Sequence, residues 1–282
     1  MEMEETKKLK QAMLDVLFEV KRICDKYRID YFLIGGTLIG AIRHNGFIPW
    51  DDDIDIGMLR ADYQRFIRAC KRDLDSRYRL VLWNNEKDNP NIYAKIKIKG
   101  TTYIEKRSQN TKQSKEIFID IFPFDNSPDN KRKAIKHGRK IAFYRRLLAM
   151  KCGVDFSDST SFVKSVLNHF LKTISFFCSR EKLYYKNISL CRLYEKCNTR
   201  YVVNACGTYN YMKERNARKM FCEFTEVPFE SGMFKTIKRY DEYLAHIYGD
   251  YMALPPVSDR TSRHGLIKID FGEYVPMSSL TT

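Results

Sequence analysis

The sequence predicts a mixed α/β fold with a mainly helical second half. Residues 4–27 carry apolar side chains at helical intervals with charged residues between them, which is typical of a helix packed on a core. Residues 92–99 alternate apolar side chains with lysines, and residues 116–122 form a short β-prone run, so both segments indicate strands. With 282 residues and 44% hydrophobic content, the chain can bury a sizeable core in one large or two modest domains.

The composition predicts an anionic partner. The formal net charge is +15 and the isoelectric point is about 9.4, which favours nucleic acid, an acidic membrane surface or phosphorylated substrates. Eight cysteines are scattered without a C-x-x-C pair, which predicts reduced thiols and no zinc site. The charged amino terminus and the short apolar stretches predict a cytoplasmic protein, or one held peripherally on the inner membrane face.

After the first helix, the segment Tyr31–Ile34 is a short apolar run that predicts a buried strand. Gly35 and Gly36 follow, and they allow the backbone to approach a ligand closely. Thr37 is predicted to cap a helix over residues 38–43, whose free N–H groups then form an anion site. A tight strand-to-helix turn without a ligand is the alternative.

Four aspartates crowd into residues 51–55, and two of them alternate with isoleucines. On a strand, Asp53 and Asp55 share one face while Ile54 and Ile56 point to the core. Because adjacent like charges destabilise a sheet face, a compensating cation is expected, and Mg²⁺ suits a cluster of oxygen ligands. The alternative is a solvated acidic turn. The glycine turn and the acid pair together indicate phosphoryl or nucleotidyl chemistry.

The next elements follow the same periodicities. Residues 60–71 predict a helix, residues 78–83 a strand, and residues 92–99 a strand with lysines on one side. That lysine row is either a solvated face or a face that looks onto the aspartates, in which case Lys95 or Lys97 reaches a phosphate.

The run 116–122 holds Asp120 between two isoleucines and is predicted to end at Pro123. A carboxylate in such a core strand is costly unless a cation pairs with it, so Asp120 is the candidate third metal ligand.

Residues 131–151 predict a helix that contains nine lysines and arginines and no acid. It is either a solvated basic face or a surface for anionic lipid or a phosphorylated acceptor. Helices are predicted for residues 161–177, 180–196 and 237–248, with a strand at residues 201–205. Gly153–Ser159 is the predicted hinge between a catalytic core, residues 1–152, and an acceptor-side region, residues 153–282, whose end packs back on the core.

Three motifs carry a resemblance to a known family: YFLIGGTLIGAIRHNGFIPWDDDIDIGM at 31–58, FIDIFPFD at 118–125, and YGDYMALPP at 248–256. They resemble the LicD family of phosphocholine transferases, which is related to the fukutin proteins. The resemblance implies a nucleotidyltransferase-like fold and transfer of a phospho-alcohol from a CDP-activated donor. The implied acceptor is a sugar hydroxyl on a cell-surface glycan or its lipid-linked precursor, as in teichoic acid, capsule or lipopolysaccharide.

On the matching positions, the resemblance implies roles for single residues. Gly35, Gly36 and Thr37 would cradle the donor phosphates. As a separate hypothesis about the mechanism, we expect Arg43 and His44 to contact donor phosphate. Asp53, Asp55 and Asp120 would form the catalytic carboxylate set that holds Mg²⁺, with Mn²⁺ as a substitute.

The sequence departs from the wider superfamily in the length between its glycine turn and its acid pair, and a fukutin-type zinc site has no visible counterpart. The transferred group stays open among phosphocholine, phosphoribitol and similar groups.

Other classes of function compete with this reading. A nucleotidyltransferase that leaves a nucleoside monophosphate on its acceptor would use the same acids. A non-catalytic protein of glycan assembly or anion binding would not need three intact acids. Nucleic acid is disfavoured as a partner, because no aromatic-basic recognition motif is present and the acids would repel a phosphate backbone.

Overall fold

A computed structural model describes residues 3–106, 109–154, 162–262 and 265–277, and for residues 162–168 and 170 it describes the backbone alone. Within these residues the helices are α1 Met3–Tyr27, α2 Gly35–His44, α3 Arg60–Asp73, α4 Lys131–Lys151, α5 Phe162–Phe177, α6 Arg180–Cys191 and α7 Tyr240–Tyr248. The strands are β1 Phe32–Leu33, β2 Asp55–Leu59, β3 Tyr78–Val81, β4 Ala94–Ile98, β5 Thr102–Glu105, β6 Phe118–Ser127, β7 Tyr201–Val203, β8 Arg215–Ala217, β9 Phe224–Phe229, β10 Gly232–Ile237 and β11 Leu266–Asp270.

The architecture is a mixed sheet flanked by helices, which confirms the predicted α/β class. The central sheet has the order β1-β2-β6-β4-β3, and β7 and β8 extend it from β6. Strands β2 and β6 are parallel, whereas β4 is antiparallel to β6. Strand β6 pairs with β2 on one side and β4 on the other, so it lies in the middle of the sheet. Asp120 is one of its residues.

The existence of the helices predicted from apolar periodicity is confirmed, but the one predicted to end at residue 196 ends at Cys191, and the one predicted to begin at residue 237 begins at Tyr240, because Ile237 belongs to β10. Helix α1 buries one continuous face that includes Leu9, Val16 and Ile23, and it packs on α3 and the sheet. Helix α4 has the predicted bounds. These long amphipathic segments are identified well because burial of one face, repeated over several turns, leaves a strong pattern in the sequence.

Strand β6 is longer than predicted, since it continues through Pro123 to Ser127. The Asp120 N–H donates to Ile54 O of the chain leading into β2, so by alternation Pro123 N faces the opposite side of β6. On that side β4 pairs with residues 118–121 and β7 with residues 125–127. Pro123 therefore lies in the gap between two partners, and its missing N–H interrupts no ladder.

The second half of the chain contributes both helices and strands. Strand β7 joins the central sheet at β6, and β11 pairs with β5. A buried bidentate ion pair joins Arg60 at the start of α3 to Asp125 in β6, with both N–O distances at 2.7 Å. Most of the predicted hinge, residues 155–159, lies outside the described part of the chain, and the two-domain division stays a prediction.

All eight cysteines are free thiols, and five of them are buried, in agreement with the prediction of reduced cysteines. In the parts of the chain that the structure describes, no helix combines the length and the apolar character that crossing a membrane requires.

Candidate active site

The predicted acids meet at the centre of the sheet. Asp55 in β2 and Asp120 in β6 are direct partners across the parallel pair, and Asp53 lies two residues earlier on the same face as Asp55. Ile54 and Ile56 are fully buried on the other face, as the alternation predicted. All three acids line one cavity of about 530 Å³. The solvated acidic turn is therefore the wrong alternative.

Lys95 is the partner of Asp120 on the opposite side of β6. Its Nζ lies 2.7 Å from Asp120 Oδ1, and the lysine is only 8% exposed. Burial raises the pKa of Asp120 above its ordinary value, Lys95 acts in the opposite direction, and the neighbouring carboxylates of Glu105 and Asp53 raise it further. The prediction that the lysines of this strand form a solvated face is wrong, because Lys95 and Lys97 are both buried.

Lys97 also lines the cavity but has different partners. Its Nζ donates to Ser114 O at 2.7 Å and to Ser114 Oγ at 2.9 Å, and it lies 3.6 Å from Glu86 Oε2. Burial lowers the pKa of Lys97 to about 8. Lys97 therefore belongs to a buried polar cluster at the cavity wall, beside the acids rather than bonded to them.

The glycine turn starts helix α2 two residues before the predicted cap. The N-cap residue is Ile34, and Gly35 has φ of +59°, a left-handed conformation that favours glycine. The predicted cap at Thr37 is wrong, because Thr37 lies inside the first turn. Its Oγ1 instead accepts a hydrogen bond from Asp55 N at 2.9 Å, which ties α2 to the start of β2.

Because Gly35 and Gly36 have no side chains, two carboxylates can approach the amino terminus of α2 closely. A Cβ at Gly35 would lie 3.2 Å from Asp55 Oδ2, and a Cβ at Gly36 would lie 2.2 Å from Asp51 Oδ2. The partial positive charge of a helix amino terminus stabilises such carboxylates. Among the described residues, the cavity lining does not include positions 35–37, so Asp55 lies between the glycine turn and the cavity. The phosphate cradle stays a prediction.

Arg43 and His44 lie at the far end of α2. Arg43 Nη1 donates to Tyr251 O at 2.8 Å and to Ala253 O at 3.1 Å, while its Nε donates to His44 Nε2 at 3.0 Å. These bonds anchor the closing motif of the chain to α2. The structure does not bring either residue to the cavity, and their contact with donor phosphate stays a prediction.

Two arginines that sequence reasoning missed line the cavity from α4. Arg145 donates to Ala205 O at 2.7 Å and to Cys206 O at 2.9 Å, and it thereby positions the segment of Gly207 on the cavity wall. Arg146 lines the same cavity. Ala142 and Ala149 of α4 line the cavity as well, at helical spacing from the two arginines. The sequence did not indicate which face of this basic helix lies against the cavity.

Aromatic rings form another part of the wall that the sequence did not reveal. Tyr93 and Phe122 pack with ring centroids 4.3 Å apart. Tyr103 and Phe118 meet edge to face at 5.9 Å. Lys95 Nζ lies 3.3 Å from the Phe118 ring centroid, so one ring face already contacts a cation.

The acids do not form a complete metal cage by themselves. Across residues 3–106, 109–154, 162–262 and 265–277, no three His, Cys, Asp or Glu side chains are grouped closely enough to hold a metal ion. The in-register pair Asp55 and Asp120, with Asp53 on the same cavity, nevertheless fits Mg²⁺, which proteins bind through one or two carboxylates together with substrate phosphates.

Sequence comparisons relate the chain to known proteins. Residues 28–163 match the family model described as LicD/FKTN/FKRP, nucleotidyltransferase domain. The lipopolysaccharide cholinephosphotransferase LicD of Haemophilus influenzae is 32% identical over 258 residues, which cover 89% of this chain and 92% of that protein. The ribitol 5-phosphate transferase FKRP of human and mouse is 36% identical over 52 residues, which cover 18% of this chain and 10% of that protein.

Proposed function

The chain belongs to the LicD family, and from that premise we propose that it transfers phosphocholine, or a similar phospho-alcohol, from a CDP-activated donor to a sugar hydroxyl. The acceptor is a cell-surface glycan or its lipid-linked precursor. Both relatives are phospho-alcohol transferases by name, one for choline phosphate and one for ribitol phosphate. The observation that carries the proposal is the in-register pair of Asp55 and Asp120, which lines the cavity beside Lys95.

We assign metal binding to the three acids. The in-register pair Asp55 and Asp120 would hold Mg²⁺, or Mn²⁺ in its place, together with donor phosphates, and Asp53 on the same cavity would be the third ligand if its side chain moves closer. When bound, the metal would neutralise charge on the diphosphate and on the departing CMP. The support is electrostatic: burial raises the pKa of Asp120, the carboxylates of Glu105 and Asp53 raise it further, and a cation stabilises the ionised form against both effects.

We assign the donor phosphates to the cationic wall of the cavity. Lys95 and the α4 arginines Arg145 and Arg146 line the same cavity as the carboxylates. Arginine binds phosphate oxygens with a planar fork of donors, and lysine binds them as a point charge. The amides at the amino terminus of α2 remain the second candidate for phosphate binding.

The chemical step is a displacement at phosphorus. The oxygen of the acceptor hydroxyl forms a bond to the phosphorus that carries the alcohol, and the bond from this phosphorus to the bridging oxygen breaks. CMP departs with the bridging oxygen, and the hydroxyl proton passes to the Asp120 carboxylate. Positioning and charge neutralisation carry most of the catalysis.

The aromatic wall favours choline as the cargo. A quaternary ammonium group binds against ring faces, and neighbouring carboxylates strengthen that attraction. Tyr93 and Phe122 provide the rings, and Glu105 lies on the same cavity.

A second candidate is nucleotidyl transfer, because the matching family model is described as a nucleotidyltransferase domain. That reaction would use the same acids but would attack the other phosphorus, leaving CMP on the acceptor and releasing phosphocholine.

The donor is identified by measuring CMP release from CDP-choline, CDP-ribitol and CDP-glycerol, with Mg²⁺ and with chelator. We expect slow, metal-dependent turnover that is fastest with CDP-choline. Equal release with chelator would contradict the metal assignment, and preference for CDP-ribitol would contradict the cargo. Failure of all three donors would contradict the proposed donor class.

A further inference from the structure

An exposed aromatic pair ends helix α5. Phe176 and Phe177 are 74% and 82% exposed, and their rings lie 5.5 Å apart. Tyr185 of the next helix is 59% exposed. Single exposed apolar side chains are ordinary, but adjacent large aromatic residues at a helix end indicate an interaction site.

Cations surround this pair. A groove of about 440 Å³ between α4 and α5 is lined by Met150, Lys151, Lys172 and both phenylalanines, among others. Lys151 Nζ donates to Phe176 O at 2.9 Å and lies 5.6 Å from the Phe176 ring. Further along, α6 exposes Lys182 and Lys186, with Glu181 as the acid beside them. We define Lys151, Lys172, Phe176, Phe177, Lys182 and Lys186 as the aromatic-basic patch.

The exposed face of α4 leads to the same end of the molecule. Arg132, Lys136, Arg139 and Phe143 are exposed at intervals of three and four residues, so they form one stripe along the helix. Arg145 lies on a different face and lines the cavity, whereas Arg146 lies at the edge of this stripe and also lines the cavity. The basic helix therefore contributes arginines to the cavity and also exposes cations on an outer surface.

We propose that the aromatic-basic patch docks the protein on an anionic phospholipid bilayer. The phenylalanine rings enter the boundary between headgroups and acyl chains, and the lysines contact lipid phosphates. An anionic bilayer fits better than a folded protein partner, because exposed rings beside lysines complement both the acyl boundary and the negative headgroups. Ala149 lines the cavity and directly precedes Met150 of the groove, so docking holds the cavity rim near the membrane surface.

The test is flotation of the full chain with vesicles of phosphatidylcholine, with and without about one third phosphatidylglycerol. We expect binding to the anionic vesicles that weakens with salt. Phe176→Ser/Phe177→Ser is expected to weaken partitioning about tenfold or more, because two buried rings are lost. Lys172→Glu/Lys182→Glu is expected to weaken it about fivefold or more per lysine at low salt.

The matched control is Met233→Ser/Val257→Ser, which removes two apolar side chains that are 48% and 76% exposed elsewhere on the surface. It is expected to float like the wild type. The proposal is overturned if the wild type fails to bind at low salt, or if the double phenylalanine variant floats normally. All variants should keep the wild-type far-ultraviolet circular dichroism and the wild-type rate of CMP release without vesicles. That readout separates loss of docking from failure of the proposed reaction.

Discussion

Asp55 and Asp120 are paired in register across the parallel strands β2 and β6. Two carboxylates at such neighbouring positions repel each other and destabilise the sheet. Lys95 of β4 partly offsets this repulsion, because it forms an ion pair with Asp120. A pair of acids that costs stability at the centre of the sheet is best explained by chemistry that requires it.

Asp55→Asn tests that conflict between stability and activity. We expect CMP release to fall about 100-fold or more, because a metal and phosphate ligand is lost. The free energy of unfolding should change by less than about 1 kcal/mol, because relief of like-charge repulsion is offset by the lost attraction of the carboxylate to the amino terminus of α2. Urea denaturation and the CMP assay measure both effects on one preparation. The exposed residue Asp25 provides the control Asp25→Asn, and a stable Asp55→Asn protein with normal turnover would remove the mechanism.

Lys95→Met should destabilise the metal-free protein by about 3 kcal/mol, because it leaves Asp120 buried without its cation. The double variant Lys95→Met/Asp120→Asn should recover most of that loss. A double-mutant cycle by urea denaturation in chelator measures the coupling. Additive effects of the two changes would show that the ion pair makes no net contribution.

Gly36→Ala tests the close approach of Asp51 to helix α2. A Cβ at position 36 would lie 2.2 Å from Asp51 Oδ2, so this carboxylate must move away from the helix amino terminus. We expect Gly36→Ala to lower the free energy of unfolding by about 1 kcal/mol more in the wild-type protein than in an Asp51→Ala background. Thermal unfolding of the four proteins measures the difference. Identical effects in both backgrounds would contradict the contact.

The pH dependence of stability should report Lys97. Because burial lowers the pKa of Lys97 to about 8, the unfolded chain binds a proton there that the folded chain has lost between pH 8 and about 10.5. The free energy of unfolding contributed by this group therefore rises with pH through that window, by about 3 kcal/mol at most. Lys97→Met should lack the rise and Lys99→Met, an exposed lysine on the same segment, should keep it; denaturation at several pH values distinguishes them.

Tyr93→Leu tests the choice of cargo. Loss of the ring that packs 4.3 Å from Phe122 should raise KM for CDP-choline about tenfold, because a contact to the trimethylammonium group is removed. CDP-ribitol serves as the internal control, since its polyol does not depend on a ring face. Steady-state kinetics with both donors measure the effect. An equal increase in KM for the two donors would mean that Tyr93 shapes the cavity without contacting the choline group.

The sequence predicted those features that leave a local pattern. The helical period of α1 and the alternation around Asp53 and Asp55 are written in neighbouring residues, so their buried faces were identified correctly. Asp120 was found for the same reason, because an acid between two isoleucines is conspicuous.

Features that depend on the relative placement of distant elements were not predictable. The pairing of Lys95 with Asp120 depends on which edge of β6 receives β4, and nothing local to β4 records that choice. The sequence predicted a strand end at Pro123. The gap between β4 and β7 that accommodates this proline depends on the arrangement of the whole sheet, so no local pattern indicates it. Arg145 was missed because the rotation of α4 about its axis is set by tertiary packing.

Hydrolysis of CDP-choline in oxygen-18 water, with Mg²⁺ and no acceptor, distinguishes phosphocholine transfer from nucleotidyl transfer when both products are analysed by mass spectrometry. Water then replaces the sugar hydroxyl, and the labelled oxygen marks the phosphorus that is attacked. We expect one labelled oxygen in phosphocholine and none in CMP, and loss of both products in Asp55→Asn. Label in CMP would contradict phosphocholine transfer and would establish attack on the nucleotidyl phosphorus instead.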